Sequence, residues 1–393
     1  MAGRRLGLNR RIPQIAAVAA VGIVVSAVLT AAAIAVYFAR AVVTPPRRRE
    51  EDVRVRDSTA TTVTLSSTPD TRTPGEYGLW FSGDTGYARF GEILRSSDRS
   101  VTRVLLGVDF GELDRARAGR VGGWFFLSPA DLGVDWTEVE VDTELGPAPA
   151  WVVPASEETG RWVIQVHGRA VNRREGLRAV PVFREAGYTT LLISYRNDGE
   201  APRSPDYRYA LGDAEWRDVE AALHYAVSHG ARSVVLMGWS MGGATVLQAL
   251  TRSPHADVVA GVVLDSPVVD WVTALSYQAA LNHLPPVIRR AVLTLLTRSW
   301  AGPITGQAAP IDLARLDLVS RSAELRVPVL LFHSDDDGYV PVDASAALAA
   351  ARPDIVTFER FTIARHARLW NYDPARWNRA IRSWLTRLES TTE

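Results

Sequence analysis

The longest apolar stretch of the chain lies close to its beginning. Residues 14–40 carry no charge until Arg40, and a helix of that length, at ~1.5 Å per residue, crosses the ~30 Å hydrocarbon layer of a membrane. Residues 1–13 form a short basic tail before it. The pattern predicts a single transmembrane anchor over 14–40. A long signal peptide is the alternative, because Ala39-Arg40-Ala41 offers the small residues of a cleavage site.

Arginines flank the predicted anchor on both sides. Those of the tail favour a cytoplasmic N-terminus under the positive-inside rule, whereas Arg40 and the run Arg47-Arg48-Arg49 oppose that orientation. We expect the part of the chain that follows the anchor to lie outside the cytoplasm.

The next hundred residues differ in composition from the anchor and from each other. Residues 41–74 are rich in charge, Ser, Thr and Pro, which predicts a solvated linker. Residues 75–133 contain short apolar runs, such as 101–108 and 123–127, between Gly and Asp turns. That pattern predicts a small β-rich appendage, and the sequence assigns no role to it.

From residue 134 to residue 393, apolar and β-branched runs alternate with helical stretches. This alternation predicts a mostly parallel sheet covered by helices on both faces. A long apolar segment broken by prolines, residues 271–318, interrupts it. We interpret that segment either as a short helical lid or as an extra packed layer. The runs assigned to strands are 137–141, 148–153, 162–166, 189–193, 234–237, 258–264, 329–332 and 355–361.

Overall charge and cysteine content exclude several classes of function. Lys plus Arg and Asp plus Glu both total 44, so the formal net charge is zero. No nucleic-acid partner is expected, because phosphate binding needs a cationic excess. Cysteine is absent, which excludes disulfides, thiolate metal sites and cysteine nucleophiles.

The most specific motif is Gly238-Trp239-Ser240-Met241-Gly242, which follows the run 234–237 and opens a helical stretch. A serine on a sharp strand-to-helix turn has a strained backbone, and the close packing there leaves room only for glycine at the flanking positions. The helix that begins behind the serine favours negative charge nearby. The motif therefore predicts that Ser240 is a nucleophile and that Gly238 and Gly242 form its turn.

A serine hydroxyl is a weak nucleophile until a positioned base takes its proton. In hydrolases built on such a turn, the acid and then the histidine follow the serine in chain order. Of the seven histidines, only His366 follows the acid cluster Asp335-Asp336-Asp337. Residue type alone does not choose among the three aspartates, and Asp265 is a further candidate for the acid because it ends an earlier strand.

The loop after the run 162–166 carries His167, Gly168 and Arg169. In the same architecture this loop supplies one backbone N–H to an oxyanion hole, and the residue after the serine supplies the other. We therefore expect the N–H groups of Arg169 and Met241 to form the hole. His167 precedes the serine in the chain, so we interpret it as structural.

Taken together, these motifs resemble the α/β-hydrolase superfamily, most closely its prolyl-oligopeptidase-like and serine-aminopeptidase-like branches and membrane-anchored relatives of the Bem46 type. The resemblance covers roughly residues 134–393. In that family the acid precedes Val-Pro with two residues between, which here selects Asp337 ahead of Val340-Pro341. The resemblance implies an α/β-hydrolase fold and a catalytic triad of Ser240, His366 and Asp337.

The same resemblance implies hydrolysis of an ester, thioester or amide through an acyl-enzyme intermediate, without metal or cofactor. The expected substrate is a small or lipid-like acyl compound or a peptide, and the expected membrane contact is through the N-terminal helix. Two alternatives stay open. One is an acyltransferase that uses the same triad, and the other is a non-catalytic binding protein tethered to the membrane.

Overall fold

The computed structural model describes residues 8–46 and 49–392. It contains a long N-terminal helix, a barrel and a large mixed β-sheet with helices between its strands. The strands are β1 Val53–Ser58, β2 Thr62–Ser66, β3 Tyr77–Phe81, β4 Gly86–Ser96, β5 Ser100–Phe110, β6 Ala118–Gly122, β7 Thr137–Thr143, β8 Gly146–Val153, β9 Arg161–Val166, β10 Tyr188–Ile193, β11 Ser233–Trp239, β12 Val259–Asp265, β13 Val329–Ser334 and β14 Val356–Phe361. The helices are α1 Leu8–Val43, α2 Pro69–Arg72, α3 Val180–Glu185, α4 Trp216–Ser228, α5 Met241–Arg252, α6 Trp271–Leu281, α7 Pro286–Thr297, α8 Gly302–Thr305, α9 Val342–Ala351, α10 Leu369–Tyr372 and α11 Pro374–Thr392.

The larger part of the molecule is built on an eight-stranded sheet with the order β14-β13-β12-β11-β9-β10-β8-β7. β8 pairs antiparallel with β7 and β10, and the remaining neighbours pair parallel. From β9 the chain first adds β10 on one side and then β11 on the other. The order therefore reverses between β9 and β11, and ligands of such sheets bind at the carboxyl ends of the strands beside that reversal.

The central strands are buried on both faces because helices cover both. In β11, Val234 and Leu236 pack into a core with α4 and α5, whereas Val235 and Met237 pack on the other face with α3 and α11. Continuous apolar runs are what a doubly covered parallel strand requires. The predicted α/β-hydrolase fold is thereby confirmed for the sheet and its helices.

The β-rich appendage is a closed barrel of six strands in the order β1-β2-β5-β4-β3-β6. Its β1 and β2 lie within residues 41–74, so the prediction of a solvated linker there was wrong. Both strands alternate, with buried Val53, Val63 and Leu65 on the inside and charged or hydroxyl side chains outside. A barrel strand needs only every second residue to be apolar, and the polar composition hid that alternation.

Helix α1 has two different environments along its length. Every side chain from residue 20 to residue 30 is exposed, as expected for an apolar segment that suits contact with lipid. Nearer its end, Ala35, Ala39 and Val43 are fully buried in the same core as α4 and α5. This face packs mainly on α7. Residues 20–43 are long and apolar enough to cross a membrane. Residues 1–7 of the predicted basic tail lie outside the described residues.

The segment 271–318 forms α6, α7 and α8. Tyr277 Oη on α6 donates to the carbonyl of Asp337 at 3.2 Å, and Gln278 Nε2 donates to the carbonyl of Tyr339 at 2.7 Å. The segment therefore lies between α1 and the loop after β13. That it covers Ser240 as a lid stays a prediction.

The barrel is fastened to the loop that follows β14. Asp70 forms ion pairs with Arg365 at 3.3 Å and with Arg368 at 2.9 Å. The Asn371 side chain donates to the carbonyl of Glu76 at 2.7 Å, and the Glu76 N–H donates to the carbonyl of Asn371 at 2.9 Å. The barrel is therefore joined to the rest of the molecule by charged and backbone contacts along residues 365–371.

Candidate active site

Ser240 occupies the turn between β11 and α5 with φ 52° and ψ −117°. An L-residue pays for this positive φ, and such strain is stored at functional sites. Close packing accounts for the flanking glycines. A Cβ on Gly238 would lie 2.5 Å from the carbonyl oxygen of Gly242, and one on Gly242 would lie 2.1 Å from that of Val166.

Three side chains from three different loops meet at this turn. His366 Nε2 lies 2.9 Å from Ser240 Oγ, and His366 Nδ1 lies 2.6 Å from Asp337 Oδ2. These contacts bridge 126 and 29 residues of sequence. The ring is thus held between a carboxylate and a hydroxyl, the arrangement that activates a serine.

Asp337 is oriented by the backbone of its own loop. Its Oδ1 accepts from the N–H groups of Tyr339 at 2.8 Å and Val340 at 2.9 Å. The carboxylate is fully buried, and its Oδ2 faces two rings, with His366 Nδ1 at 2.6 Å and His333 Nε2 at 3.3 Å. Asp335 instead forms an ion pair with Arg360 at the surface, and Asp336 forms one with Arg365.

The electrostatic surroundings of Asp337 and His366 favour an ionised Asp337 carboxylate beside a His366 ring of raised basicity. Burial opposes the charge on Asp337, but the rings of His366 and His333 outweigh it and hold the pKa of this carboxyl well below its ordinary value. Burial likewise opposes a charged His366. The nearby Asp337 carboxylate outweighs that effect, so the pKa of His366 is raised.

Asp265, the other candidate for the acid, has different partners. Its Oδ2 accepts from Trp377 Nε1 at 2.9 Å, and its Oδ1 accepts from Ser266 Oγ at 3.1 Å. Complete burial raises the pKa of Asp265 to about 6. Among the described contacts it makes no hydrogen bond to His366, and the geometry favours a structural role.

The loop after β9 lies directly against the serine. A Cβ on Gly168 would stand 3.2 Å from Ser240 Cβ. The Gly168 N–H is held by Glu175 Oε2 at 2.7 Å. Within the ranges 8–46 and 49–392, the N–H groups of Arg169 and Met241 donate to no protein acceptor, as an oxyanion hole requires.

The side chain of Arg169 points away from this chemistry and binds the end of α1. Its guanidinium donates to the carbonyls of Ala41 at 2.6 Å, Val42 at 3.0 Å and Thr44 at 3.1 Å. The last carbonyls of a helix have no partner within the helix and carry partial negative charge. Arg169 therefore caps α1 and joins it to the loop of the expected oxyanion hole. Nothing in the sequence signalled this contact.

Two carboxylates that the sequence did not single out fix this loop. Glu175 holds Gly168, as described above. Asp198 Oδ2 lies 3.1 Å from His167 Nε2, and Tyr195 stacks on the His167 ring at 4.1 Å between centroids. His167 is therefore enclosed by structural contacts. Neither carboxylate lies in a recognisable motif, so only the folded chain reveals them. No group of three or more His, Asp or Glu side chains suited to a metal occurs in the described part of the chain.

Comparison with known proteins agrees with this architecture. Residues 178–387 match the model of the prolyl oligopeptidase family, and residues 54–122 match that of a domain of unknown function (DUF8805). The uncharacterized protein YqkD of Bacillus subtilis is 22% identical over 243 residues, which cover 61% of this chain and 75% of YqkD.

Solved structures show the same fold. The Pyrococcus furiosus esterase Pf2001 superposes with a TM-score of 0.52 at 18% identity, covering 67% of this chain and 94% of that chain. A second crystal form of that esterase gives a TM-score of 0.51. The family match spans more than half of the 393 residues. The chain therefore belongs to the prolyl oligopeptidase family and is a serine hydrolase of the ester-hydrolase or peptidase type.

Proposed function

We propose that this chain is a membrane-anchored hydrolase that cleaves an ester, thioester or amide bond through an acyl-enzyme intermediate. The observation that carries the proposal is the continuous chain of contacts from Ser240 Oγ through His366 to Asp337, at 2.9 Å and 2.6 Å. Both distances lie within the range required for proton transfer and for orientation of the base.

In the first half of the reaction, Ser240 Oγ attacks the carbonyl carbon while His366 Nε2 takes the hydroxyl proton. The tetrahedral intermediate collapses as His366 returns that proton to the departing alcohol, thiol or amine. In the second half, water gives a proton to His366 and attacks the acyl-enzyme. When this second tetrahedral intermediate collapses, His366 returns the proton to Ser240 Oγ and the acid is released. Throughout, Asp337 fixes the ring tautomer and stabilises the imidazolium.

The negative oxygen of each tetrahedral intermediate needs hydrogen-bond donors. We assign this role to the N–H groups of Arg169 and Met241, which have no acceptor elsewhere in the described ranges. The N-terminus of α5 adds partial positive charge at the same place. Preorganised donors of this kind are worth ~10²–10³ in kcat each.

The membrane part of the proposal rests on α1. Its exposed apolar stretch from residue 20 to residue 30 suits lipid, and its final turns contribute buried side chains to the catalytic core. A cleaved signal peptide would remove part of that core, which favours a retained anchor. We place the catalytic part outside the cytoplasm. Carbonate extraction of membranes tests retention, and protease protection in sealed vesicles tests the side.

Nucleophile identity is tested by Ser240→Ala, with Ser228→Ala as the control because Ser228 is exposed at the end of α4. We expect Ser240→Ala to lose labelling by a fluorophosphonate probe and to reduce kcat by ~10⁴-fold or more. The control should label and turn over like the parent. Normal labelling of Ser240→Ala would refute the assignment. A panel of p-nitrophenyl esters and aminoacyl anilides then separates esterase from peptidase activity.

A further inference from the structure

A cavity of about 330 Å³ lies where α1 ends, between the barrel and the loops that follow β9 and β10. The loop after β9 contributes Ala170, and the loop after β10 contributes Asn197 and Asp198. The cavity therefore stands at the carboxyl ends of two central strands, where ligands of such sheets bind. Nothing in the proposed mechanism uses it.

Two arginines from the barrel side line the cavity together with the carboxylates of Asp84 and Asp198. Asp198 accepts hydrogen bonds from the backbone N–H groups of Glu200 and Ala201, and its Oδ2 lies 3.1 Å from His167 Nε2. Arg120 pairs with Asp84 at 2.9 Å, so its charge is compensated. Arg49 stacks on Trp124 at 4.9 Å and donates to the carbonyl of Ala170. It forms no ion pair with any carboxylate of the described ranges. Burial and the neighbouring Arg120 lower the pKa of Arg49, as expected for a cation that lacks its counter-ion.

Two residues of the lining, Trp80 and Arg120, also carry buried donor atoms without acceptors. Trp80 Nε1 and Arg120 Nε are both buried, and neither finds a hydrogen-bond partner among the described residues. These two atoms have almost no accessible surface, so they lie behind the wall and do not face the cavity. The uncompensated cation Arg49 on the wall suits a ligand that accepts hydrogen bonds and carries negative charge.

One residue of the cavity wall, Ala170, lies near the reacting atoms. It comes two residues after Gly168, on which a Cβ would stand 3.2 Å from Ser240 Cβ. Since successive Cα atoms are 3.8 Å apart, Ala170 Cα lies within about 12 Å of Ser240 Cβ. Ala170, Asn197 and Tyr207, all on the wall, have φ values of 62°, 70° and 51°. Backbone strain of this kind is concentrated at functional sites.

We propose that this cavity binds an anionic group of the substrate, a carboxylate or a phosphate, while the scissile bond lies at Ser240. Arg49 is the principal cation. The inference rests on the proposed hydrolase function for its kinetic test but not for its binding test. The anion can come from a soluble acyl compound or from a lipid headgroup, because the cavity adjoins Pro45 and Pro46 directly after α1.

The kinetic test uses the full chain in phosphatidylcholine nanodiscs. Substrates are p-nitrophenyl half esters of dicarboxylic acids from succinate to suberate and neutral p-nitrophenyl esters of the same lengths. We expect the parent to prefer the charged ester, by kcat/KM, most strongly at one chain length. Arg49→Gln should reduce that preference by about tenfold or more, since charge-assisted hydrogen bonds are the strong ones. Arg95→Gln, at an exposed position of the barrel, should keep it.

The binding test needs no turnover. Inorganic phosphate is titrated calorimetrically into Ser240→Ala, with and without Arg49→Gln. We expect Arg49→Gln to weaken phosphate binding by about tenfold or more, and this result supports the cavity even if no ester is hydrolysed. Equal phosphate affinity in both proteins overturns the inference, as does a parent that shows no preference for a charged ester at any length while it hydrolyses the neutral ones.

The source of the anion is decided by adding phosphatidic acid to the nanodiscs. If the lipid competes with phosphate in the protein with Arg49 and not in Arg49→Gln, the headgroup reaches the cavity. If phosphate binding depends on Arg49 and the lipid does not compete, the anion enters from solvent. Both outcomes support an anion site and differ only in which molecules fill it.

Discussion

Replacing Arg169 with methionine keeps the apolar stem of the side chain and removes its guanidinium. Three hydrogen bonds to the carbonyls of Ala41, Val42 and Thr44 disappear, and those carbonyls lose their cap. Hydrogen bonds to a charged donor contribute ~1.5–3 kcal/mol each, and their effects are not additive. We expect Arg169→Met to lower the free energy of unfolding by about 3–5 kcal/mol.

A loss of this size should lower Tm by about 10 °C in a domain of some 250 residues. Tryptophan fluorescence follows it directly, since the chain has 12 tryptophans. The backbone N–H of Arg169 is a proposed oxyanion donor, so loosening its loop should also lower kcat. Removing one such donor costs ~10²–10³ in kcat, and we expect at least ~10-fold here, measured with p-nitrophenyl butyrate well below Tm.

A matched control separates the two effects. Arg352 also donates to backbone carbonyls, those of Ser322 and Leu325, but it lies on a different loop from the expected oxyanion hole. Arg352→Met should lower Tm and leave kcat like that of the parent. If Arg169→Met kept the parent Tm, α1 would not be held as described. If it lowered Tm and left kcat unchanged, the coupling of α1 to the oxyanion loop would be refuted.

Three further outcomes are expected. Asp337→Asn should lower kcat by ~10⁴-fold with little change in Tm, whereas Asp335→Asn should match the parent. If stopped assays gave the same kcat for both variants, Asp337 would be excluded as the acid. Because its pKa is raised, His366 stays protonated above its usual range, so kcat/KM should increase with pH through neutrality and above, and the residual activity of Asp337→Asn should reach its plateau at lower pH. An unchanged pH profile in that variant would contradict the assigned cause. Ala39→Leu should lower the free energy of unfolding by about 1–3 kcal/mol through overpacking, whereas Ala33→Leu, at an exposed position of α1, should not; equal Tm values would mean that the end of α1 is not in the core.

Local patterns in the sequence were sufficient for much of the catalytic fold. The central strand runs are continuous and apolar because helices cover both faces of the sheet there, so composition alone located them. The turn at Ser240 carries glycines that its packing requires, and chain order selected His366. The strand runs and the turn are signals within a few residues, where sequence reasoning is strongest, and the order of the catalytic residues needs no knowledge of the contacts between them.

Contacts between distant segments were beyond such reasoning. The barrel strands β1 and β2 have only one or two inward apolar residues each, and their charge and Thr content predicted a linker. Arg169 was selected for its backbone, and its side chain binds carbonyls some 125 to 128 residues away. No local pattern reports a pairing over that distance. The last turns of α1 read as membrane helix because alanine and valine suit lipid and protein core equally well.

Two parts of the molecule determine the position of the loop that carries His366. The hydrolase supplies its sequence, while Asp70 of the barrel holds Arg365 and Arg368 on either side of the histidine. A module is exchangeable between relatives only if its contacts go with it. Grafting this barrel alone onto another hydrolase would therefore transfer Asp70 without Arg365 and Arg368. A chimera would keep its histidine in place only if residues 365–371 were transferred together with the barrel.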